Sequence, residues 1–507
     1  MTESNALPMP SHPAGSRRHY QTDGRERVLL VLALGLGFLT ADLCLAMWYG
    51  VPALGVTLLV LLWEGTLLWY AREGTGLPEK AKRGAGLGLT VAVVLLGLCF
   101  SLCVSWLWLL NALALLALLV LQMFQLFGPA RRAWSSPLML AERGFLLLDG
   151  LFGQLGAPFQ LLLSRKRERG RRRLCILLGL CCVIPLLMLV APLLASADAL
   201  FDRLTAETLR FLYEHFGSLL GRLVLGLFLA PFLFSLLYFL RRGEARATGA
   251  GQEGTFVVDP ALPVTVLLPL DLLYVLFAAV QSAALFRGSA YLEAAGISYA
   301  EYARSGFFQL VWVSCINLAV VVAAVHFCRR EGKLWLVVWA LSTGMVALSC
   351  LMLVSAAWRM TLYVSTYGLS VKRLLTYWGM ALLAVFFGAA LLKIWRRDFG
   401  FFRVLLAAGV SGWLLLNLLR VDAVVAEYNV EAYLTGNISA LDVAYLAGLS
   451  DEALPSLARL PADMSVYEYE EGNTVGRLLE ERRVHAARMA GSWRTWNLAS
   501  WRAARSG

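Results

Sequence analysis

Long apolar stretches separated by short polar segments fill the chain from residue 28 to residue 421. A helix needs about 20 apolar residues to cross the roughly 30 Å hydrocarbon core of a bilayer. Eleven stretches have about that length: residues 28–48, 51–71, 87–105, 106–127, 174–195, 218–240, 264–286, 306–328, 334–357, 376–395 and 402–421. The pattern predicts an all-α fold, a polytopic transmembrane helical bundle of about 11 spans.

The polar segments between these stretches differ in charge, and the difference predicts their side of the membrane. With the N-terminus inside, the inner segments carry 28 of the 45 basic residues, the short outer loops carry 8 and the tail carries 9. Basic residues accumulate in cytoplasmic loops. The sequence therefore predicts an N-in/C-out orientation.

Residues 144–163 are apolar and long enough to span, yet basic clusters flank them on both sides. A crossing here would place residues 165–173 outside and invert every later loop. We therefore interpret the segment as an interfacial or re-entrant helix on the inner face. The predicted organisation is a cytoplasmic N-terminus (1–27), four transmembrane helices (28–127), a cytoplasmic loop (128–173), seven transmembrane helices (174–421) and an extracytoplasmic helical tail (422–507).

Composition agrees with a chain dissolved in lipid. It is 59% hydrophobic and 16% charged, whereas soluble domains carry about 25% charged residues. The net charge of +11 comes from basic clusters between the apolar stretches. Such clusters set the orientation of a membrane protein and contact anionic lipid headgroups, so no nucleic-acid partner is expected. The first apolar stretch lacks a cleavage pattern and is interpreted as the first spanning helix. All nine cysteines lie in apolar stretches, which indicates packing rather than a disulfide framework or a metal site.

The tail after Asp422 has no spanning stretch and is rich in Glu, Arg and Tyr. Residues 441–461 predict two short helices, the second ending at Pro461. Their expected small core consists of Leu441, Tyr445, Leu446, Leu449, Leu454, Leu457 and Leu460. The last part predicts a helical stripe of Leu478, His485, Met489, Trp493 and Trp496. This stripe either packs on the tail itself or lies on the outer headgroups.

Several motifs resemble a known family. They are "FAAVQSAALFRG" (277–288), "GISYAEYARSGFFQL" (296–310), "WRMTLYVSTYGLSVKRL" (358–374), "VVAEYNVEAYLTGNISALDVAYLAGLSDEALPSL" (424–457) and "WRTWNLASWRA" near the end. Together they resemble the bacterial polytopic membrane family called domain of unknown function 4173. The chain departs from its pattern at Arg287, where the family favours a glycine. The resemblance implies a multi-pass protein of a bacterial plasma membrane and implies no reaction.

Polar residues within the spans are the first candidates for a site, because charging a side chain near mid-membrane costs at least about 2.5–3.5 kcal/mol. Those in the predicted spans are Asp42, Glu64, Asn111, Asp271, Gln281, Asn317, His326 and Asn417. Asp42 and Glu64 are expected to lie close enough to helix ends to reach the interface. Asp271 follows Pro269 and, with Gln281 and Asn317, forms either a proton or cation site or an interhelical hydrogen-bonded contact.

The outer edge before residue 306 is the second candidate. Tyr299, Glu301, Tyr302 and Arg304 are either a boundary at the headgroups or part of a larger binding surface. Its further members come from neighbouring outer loops, and the tail is expected to cover them: Arg287, Glu293, Trp358, Arg359, Tyr363, Tyr367, Lys372 and Arg373.

No catalytic motif, cofactor motif or metal-ligand spacing is present in the sequence. The leading hypothesis is a non-enzymatic sensory, regulatory or scaffold component that binds a membrane or extracytoplasmic protein partner, or lipid, at the outer surface. The alternative is a small-solute or ion transporter using Asp271. An enzyme acting on lipid-linked substrates would need converging titratable residues, and Glu293 and Glu301 form no convincing pair.

Overall fold

A computed structural model describes residues 24–71, 80–127, 139–163, 199–242, 258–294, 307–438, 440–466 and 473–505, with isolated positions between 183 and 197. Nearly all of these residues are helical. The helices of the membrane region are α1 (Gly24–Ala46), α2 (Ala53–Ala71), α3 (Lys80–Leu102), α4 (Trp108–Phe127), α5 (Met139–Phe152), α6 (Gly156–Leu163), α7 (Ala199–Arg242), α8 (Ala261–Ala294), α9 (Phe307–Phe327), α10 (Lys333–Tyr367), α11 (Val371–Trp395) and α12 (Phe401–Leu418).

The tail adds five shorter α-helices and one turn of 3-10 helix. These are α13 (Val421–Leu434), α14 (Val443–Ala447), the 3-10 turn Asp451–Ala453, α15 (Leu454–Leu457), α16 (Val475–Gly491) and α17 (Leu498–Ala503). A left-handed residue, Arg420 (φ 51°), separates α12 from α13. The chain therefore turns sharply where the last apolar helix ends and the tail begins.

Nine helices in the described part of the chain are long and apolar enough to cross a membrane. They coincide with nine of the predicted spans. The predicted span 87–105 corresponds to α3, whose apolar part, Gly86–Leu102, is shorter than the others. The predicted span 174–195 lies outside the described residues apart from isolated positions. The fold is thus an all-helical, multi-pass membrane bundle, while the count of eleven spans and the orientation stay predictions.

Residues 144–163 form no single helix. Helices α5 and α6 have 14 and 8 residues, and the chain turns between them at residues 153–155. Ser235 of α7 ties the two together, because its Oγ donates to Gly150 O (2.7 Å) and accepts from Gln154 N (3.2 Å). Each helix is shorter than a spanning helix, and the interfacial or re-entrant placement of the segment stays a prediction.

The chain divides into two compact units, which are described separately. The first comprises Met1–Asp42, Leu68–Glu73 and Leu148–Gly243, and the second comprises Leu43–Leu67, Gly74–Leu147 and Glu244–Gly507. In the first unit α1 and α7 approach closely at two glycines. A Cβ on Gly37 would lie 2.5 Å from Gly226 O, and one on Gly226 would lie 2.8 Å from Phe38 Cα. Small residues allow such backbone contact between membrane helices.

Gly37→Ala is expected to destabilise the first unit by about 2 kcal/mol, because backbone atoms meet the new methyl group and α1 must move away from α7. Gly35→Ala is the matched control, since a Cβ there meets nothing within 4 Å and alanine is the better helix former. Thermal unfolding of the two detergent-solubilised variants measures the difference. Equal midpoints would show that close approach at Gly37 contributes nothing.

In the second unit, one face of α10 forms the centre of the bundle. Its fully buried positions recur every three, four or seven residues: Val338, Ser342, Met345, Ser349, Ala356 and Met360. That spacing is one stripe of a helix. Helices α8, α9 and α11 pack around α10, and a second apolar cluster joins α2, α3 and α4 to α12.

The tail does not have the separate small core that its sequence predicts. Leu446, Leu454 and Leu457 are buried in the same apolar cluster as Phe387 and Met360 of the bundle, whereas Leu441 and Tyr445 are only partly buried. The predicted stripe is also wrong in part. Helix α16 ends at Gly491, so Trp493 and Trp496 lie beyond it, and His485 is exposed. The tail packs on the bundle because the bundle supplies the missing apolar surface.

Candidate functional site

Asp271 lies inside the bundle, on α8 two residues after Pro269. Its side chain is buried, and its Oδ1 accepts no hydrogen bond within the described residues. A Cβ built on Gly344 of α10 would lie 3.8 Å from Asp271 Oδ2, so a small residue on the central helix leaves space beside the carboxylate. Asp271 is therefore a buried carboxylate with an oxygen that accepts no hydrogen bond from the described residues.

Asn317 joins three helices next to this carboxylate. Its Oδ1 accepts from the Tyr274 hydroxyl (2.8 Å) on α8, and its Nδ2 donates to Ser349 Oγ (2.9 Å) on α10. Tyr274 follows Asp271 by three residues, so the two share one face of α8. Tyr274 and Ser349 were not predicted from the sequence, although both stand at helical spacing on the faces that carry Asp271 and Met345.

The third member of the predicted group, Gln281, is in α8, but its side chain lies outside the described part of the structure. The arrangement that is described allows two kinds of chemistry. The chain of hydrogen bonds from Tyr274 through Asn317 to Ser349 fixes α8, α9 and α10 to one another, as interhelical polar contacts do. The carboxylate of Asp271 offers an acceptor for a proton or a cation.

Glu64 is the second buried carboxylate, and neighbouring helices enclose it, while its depth in the membrane stays a prediction. Its exposed fraction is 3% and that of Gln122 is 0%. Gln122 Nε2 donates to Glu64 Oε2 (2.5 Å) and to Thr90 Oγ1 (2.7 Å), which joins α2, α3 and α4. Glu64 Oε1 and Gln122 Oε1 accept no hydrogen bond from the described residues. Packing against α3 and α4 decides the burial of Glu64, and its position along α2 does not.

Asp42 is a third buried carboxylate, and it has a cationic partner. It is buried in the first unit, where Arg222 Nε of α7 lies 2.9 Å from its Oδ1. The arginine supplies the counter-charge that a carboxylate needs in hydrocarbon. Asn111 and Asn417 of the second unit make an interhelical contact. Asn111 Nδ2 donates to Asn417 Oδ1 (2.6 Å) and Trp413 Nε1 donates to Asn111 Oδ1 (2.9 Å).

The predicted outer-edge surface is described only in part. Glu301, Tyr302 and Arg304 lie outside the described residues, as does Tyr299. Arg287 and Glu293 are in α8, but their side chains are not described. Arg359 is buried in α10, and Trp358 beside it is exposed. Of these members, the structure therefore describes only the side chains of Trp358 and Arg359, and the surface as a whole stays a prediction.

Three other predicted members do form a cluster at the turn between α10 and α11. The Arg373 guanidinium lies 4.4 Å from the ring centroid of Tyr363, and the rings of Tyr363 and Tyr367 are 4.9 Å apart. Arg373 Nη1 also donates to the Tyr367 and Gly368 carbonyl groups. The arginine is thus used to close the end of α10 and to hold the turn.

The tail binds this same turn. Asn429 of α13 accepts from Leu369 N (2.9 Å) and donates to Leu369 O (2.7 Å). The Tyr445 hydroxyl accepts from Val371 N (2.9 Å), an N–H group of the first turn of α11. A buried main-chain group needs a partner, and here the partners come from the tail. Gly368 adopts φ 74° and carries no side chain that would collide with Asn429.

The tail also reaches the helices of the N-terminal half. Leu54 N donates to Trp496 O (3.1 Å) and Gly55 N donates to Arg494 O (3.1 Å). These are two of the first N–H groups of α2, which have no partner within their own helix. Main-chain carbonyls some 440 residues away in sequence, near the end of the tail, therefore cap α2.

A polar network holds the tail helices together beneath this contact. Arg482 donates to Leu449 O (2.7 Å) and lies 3.6 Å from Asp451 Oδ1. Asp451 Oδ2 accepts from Ser500 Oγ (2.7 Å). Arg420, at the start of the tail, pairs with the buried Glu452 at 2.8 Å. The network links α16 and α17 to the 3-10 turn that touches α13.

Cys103, just after α3, lies under the tail. Its Sγ is 3.4 Å from Ser450 Oγ. Burial, followed by the nearby Glu452 carboxylate, raises the pKa of the Cys103 thiol. Its reactivity consequently depends on how the tail is placed, since the thiolate is the reactive form.

Comparison with known proteins places the chain in a broad context. A family model described as a domain of unknown function (DUF4153) matches residues 90–460, which is well over half of the chain and runs from within α3 to just after α15 in the tail. This is an uncharacterised family, as the motifs led us to expect, but its number differs from that of the family which they resemble. The match also begins farther toward the N-terminus than the motifs do. No curated protein and no solved structure matches the chain.

Proposed function

The chain belongs to the DUF4153 family, and we propose that this member is a non-enzymatic regulatory or scaffold component of the membrane whose C-terminal tail responds to a partner or lipid at its surface. The observation that carries the proposal is the binding of one tail to three separate parts of the bundle. Asn429 and Tyr445 hold the turn after α10, Arg494 and Trp496 cap α2, and Ser450 lies against Cys103.

These contacts give the tail a means of influencing the helices. The first two are directional hydrogen bonds to main-chain groups of a turn and of a helix end, so displacement of the tail leaves those groups without partners. Loss of a single such bond costs about 1–3 kcal/mol where the remaining group is buried. Movement of the tail by the length of a hydrogen bond therefore destabilises two places in the second unit. These are the turn after α10 and the first turn of α2.

Exposed residues of the tail offer a surface for the partner. Val484 and Trp493 are exposed, and the Arg494 guanidinium lies 5.0 Å from the centroid of the Trp493 ring. Aromatic residues and arginine are enriched where proteins bind one another and where they meet lipid headgroups. The proposal places binding on this aromatic and basic surface.

Labelling of Cys103 tests whether the tail moves. In a variant that retains Cys103 as its only cysteine, reaction with a small maleimide is expected to be slow, because the tail covers the thiol and its pKa is raised. Tyr445→Phe removes the acceptor for Val371 N, which costs about 1 kcal/mol and increases labelling about fivefold if the tail opens. Tyr428→Phe, the same change at an exposed position, is the control. Rapid labelling of Cys103 in the parent protein would contradict the proposal.

A second candidate function is supported by Asp271. Its buried Oδ1 without a hydrogen-bond donor in the described residues, beside the space left by Gly344, is the arrangement expected of a proton or cation site in a transporter. This candidate requires that flux depend on the carboxylate. The substitution Asp271→Asn separates it from the leading proposal.

A further inference from the structure

The strongest remaining feature is a cavity of about 420 Å³ at the end of α11 farthest from the tail contacts. The turn between α9 and α10, the first turns of α10 and the last turn of α11 surround it. Two arginines, three tryptophans and two aliphatic residues line it: Arg330, Arg397, Trp335, Trp339, Trp395, Leu336 and Ile394. Cavities of this size accommodate small ligands or a part of a larger one.

Positive charge dominates one wall. Arg330 is fixed in place, because it donates to Lys393 O (3.1 Å) and stacks on Trp335 with its guanidinium carbon 5.0 Å from the ring centroid. Burial, followed by the charge of Arg397, lowers the pKa of Arg330. Two guanidinium groups thus oppose each other electrostatically across the cavity, and a bound anion would relieve that repulsion.

The nearby acids leave this charge mostly in place. Glu331 pairs with Arg329 at 3.2 Å and lines no part of the cavity. The Asp398 carboxylate is close enough to Arg330 to offset part of its charge. Lys393, however, adds a further positive charge near Asp398 and donates to Arg397 O (2.6 Å). Among the described residues around the cavity, cations therefore outnumber carboxylates.

The other wall is apolar and open to the surroundings of the bundle. Leu336 and Trp395 are 64% and 61% exposed, and the rings of Trp339 and Trp395 lie 6.0 Å apart. Trp335 and Trp339 stand in the first two turns of a spanning helix, and Trp395 is the last residue of another. Tryptophans at the ends of spans mark the level of the headgroups. The cavity therefore has an anion-binding side at that level and an apolar side facing hydrocarbon.

We propose that this cavity binds one anionic phospholipid, with its phosphate between Arg330 and Arg397 and an acyl chain along Leu336 and Trp339. Basic pockets between spanning helices are suited to charged headgroups, and the apolar wall favours a lipid over a free phosphate ion. The proposal is independent of the tail, since the cavity lies at the other end of α11.

The test uses the full chain in a neutral detergent, with phosphatidylglycerol, phosphatidylcholine or inorganic phosphate added, and native mass spectrometry to count bound lipid. Arg397→Gln is expected to weaken phosphatidylglycerol binding about fivefold, since one cation near a headgroup contributes about that factor. Arg396→Gln is the matched control. It removes the same charge from the neighbouring exposed position, which does not line the cavity, and less than about a twofold effect is expected.

Two further measurements separate the lipid from other anions. Leu336→Ser is expected to weaken phosphatidylglycerol binding about threefold through loss of apolar contact, and millimolar inorganic phosphate should not displace the lipid. Equal weakening by Arg396→Gln and Arg397→Gln would overturn the assignment in favour of general surface charge. Displacement by inorganic phosphate, or equal binding of phosphatidylcholine, would overturn it as well. Thermal unfolding without added lipid verifies that each variant is folded.

Discussion

Removal of residues 440–505 is expected to prevent accumulation of folded protein, which is the largest effect we foresee. The tail contributes Leu446, Leu449, Leu454, Leu457 and Leu460 to the apolar cluster it shares with the bundle. Each buried leucine stabilises a fold by about 1.5–3 kcal/mol, so the five together contribute about as much as the whole stability of a typical domain. Fluorescence-detected size-exclusion chromatography of the truncated chain measures the loss.

A single substitution tests the same contact without removing the core. Asn429→Ala deprives both Leu369 N and Leu369 O of their tail partner. Two unsatisfied main-chain groups should cost about 2–4 kcal/mol, seen as a lower unfolding midpoint. Asn437→Ala is the control, because Asn437 is exposed and bonds only to nearby residues of its own turn. An unchanged midpoint for Asn429→Ala would show that the tail is not held at Leu369.

Asp271→Asn is the second substitution with a large expected effect. The amide has nearly the shape of the carboxylate but no charge, so it removes the cost of placing an anion within the bundle. If the tail carries the function, we expect function to be retained and the protein to be stabilised by about 1–2 kcal/mol. The measurements are the unfolding midpoint and ion flux in reconstituted vesicles.

The control for Asp271→Asn is the same change at the start of the same helix. Asp259 is exposed, and its Oδ1 accepts from Ala261 N (2.8 Å), a role that an asparagine oxygen also fills. Asp259→Asn should therefore alter neither flux nor stability. Flux that depends on Asp271 and is lost in Asp271→Asn would overturn the leading proposal and establish the transporter in its place.

Much of the membrane region follows from the sequence. The lengths of the apolar stretches predicted nine helices that the structure describes as long enough to span. Residues 144–163, whose basic flanks argued against a spanning helix, lie in two short helices, and their placement at the membrane stays a prediction. The short helices after residue 441 also appear near their predicted positions. These features depend on residues close together in the chain.

The candidate sites were only partly predictable. Asp271 and Asn317 were identified because polar residues are rare in spans. Tyr274 and Ser349, which form hydrogen bonds with Asn317, have no comparable signal in the sequence. Glu64 was expected at the interface because it lies near the end of its apolar stretch. That position does not predict its hydrogen bond with Gln122, which is 58 residues away in sequence. Sequence position gives the depth of a residue along its own helix but does not give its neighbours.

By itself, the sequence determined that the solvent of this protein is lipid, because hydrophobic length is a local property summed over about twenty neighbouring residues. The tertiary structure decided which polar groups meet and what the tail does. Asn111 forms a hydrogen bond with Asn417, which is 306 residues away in sequence, and Leu54 N donates to Trp496 O. Such pairs form where packing brings otherwise unsatisfied groups together, and that packing depends on the whole chain at once.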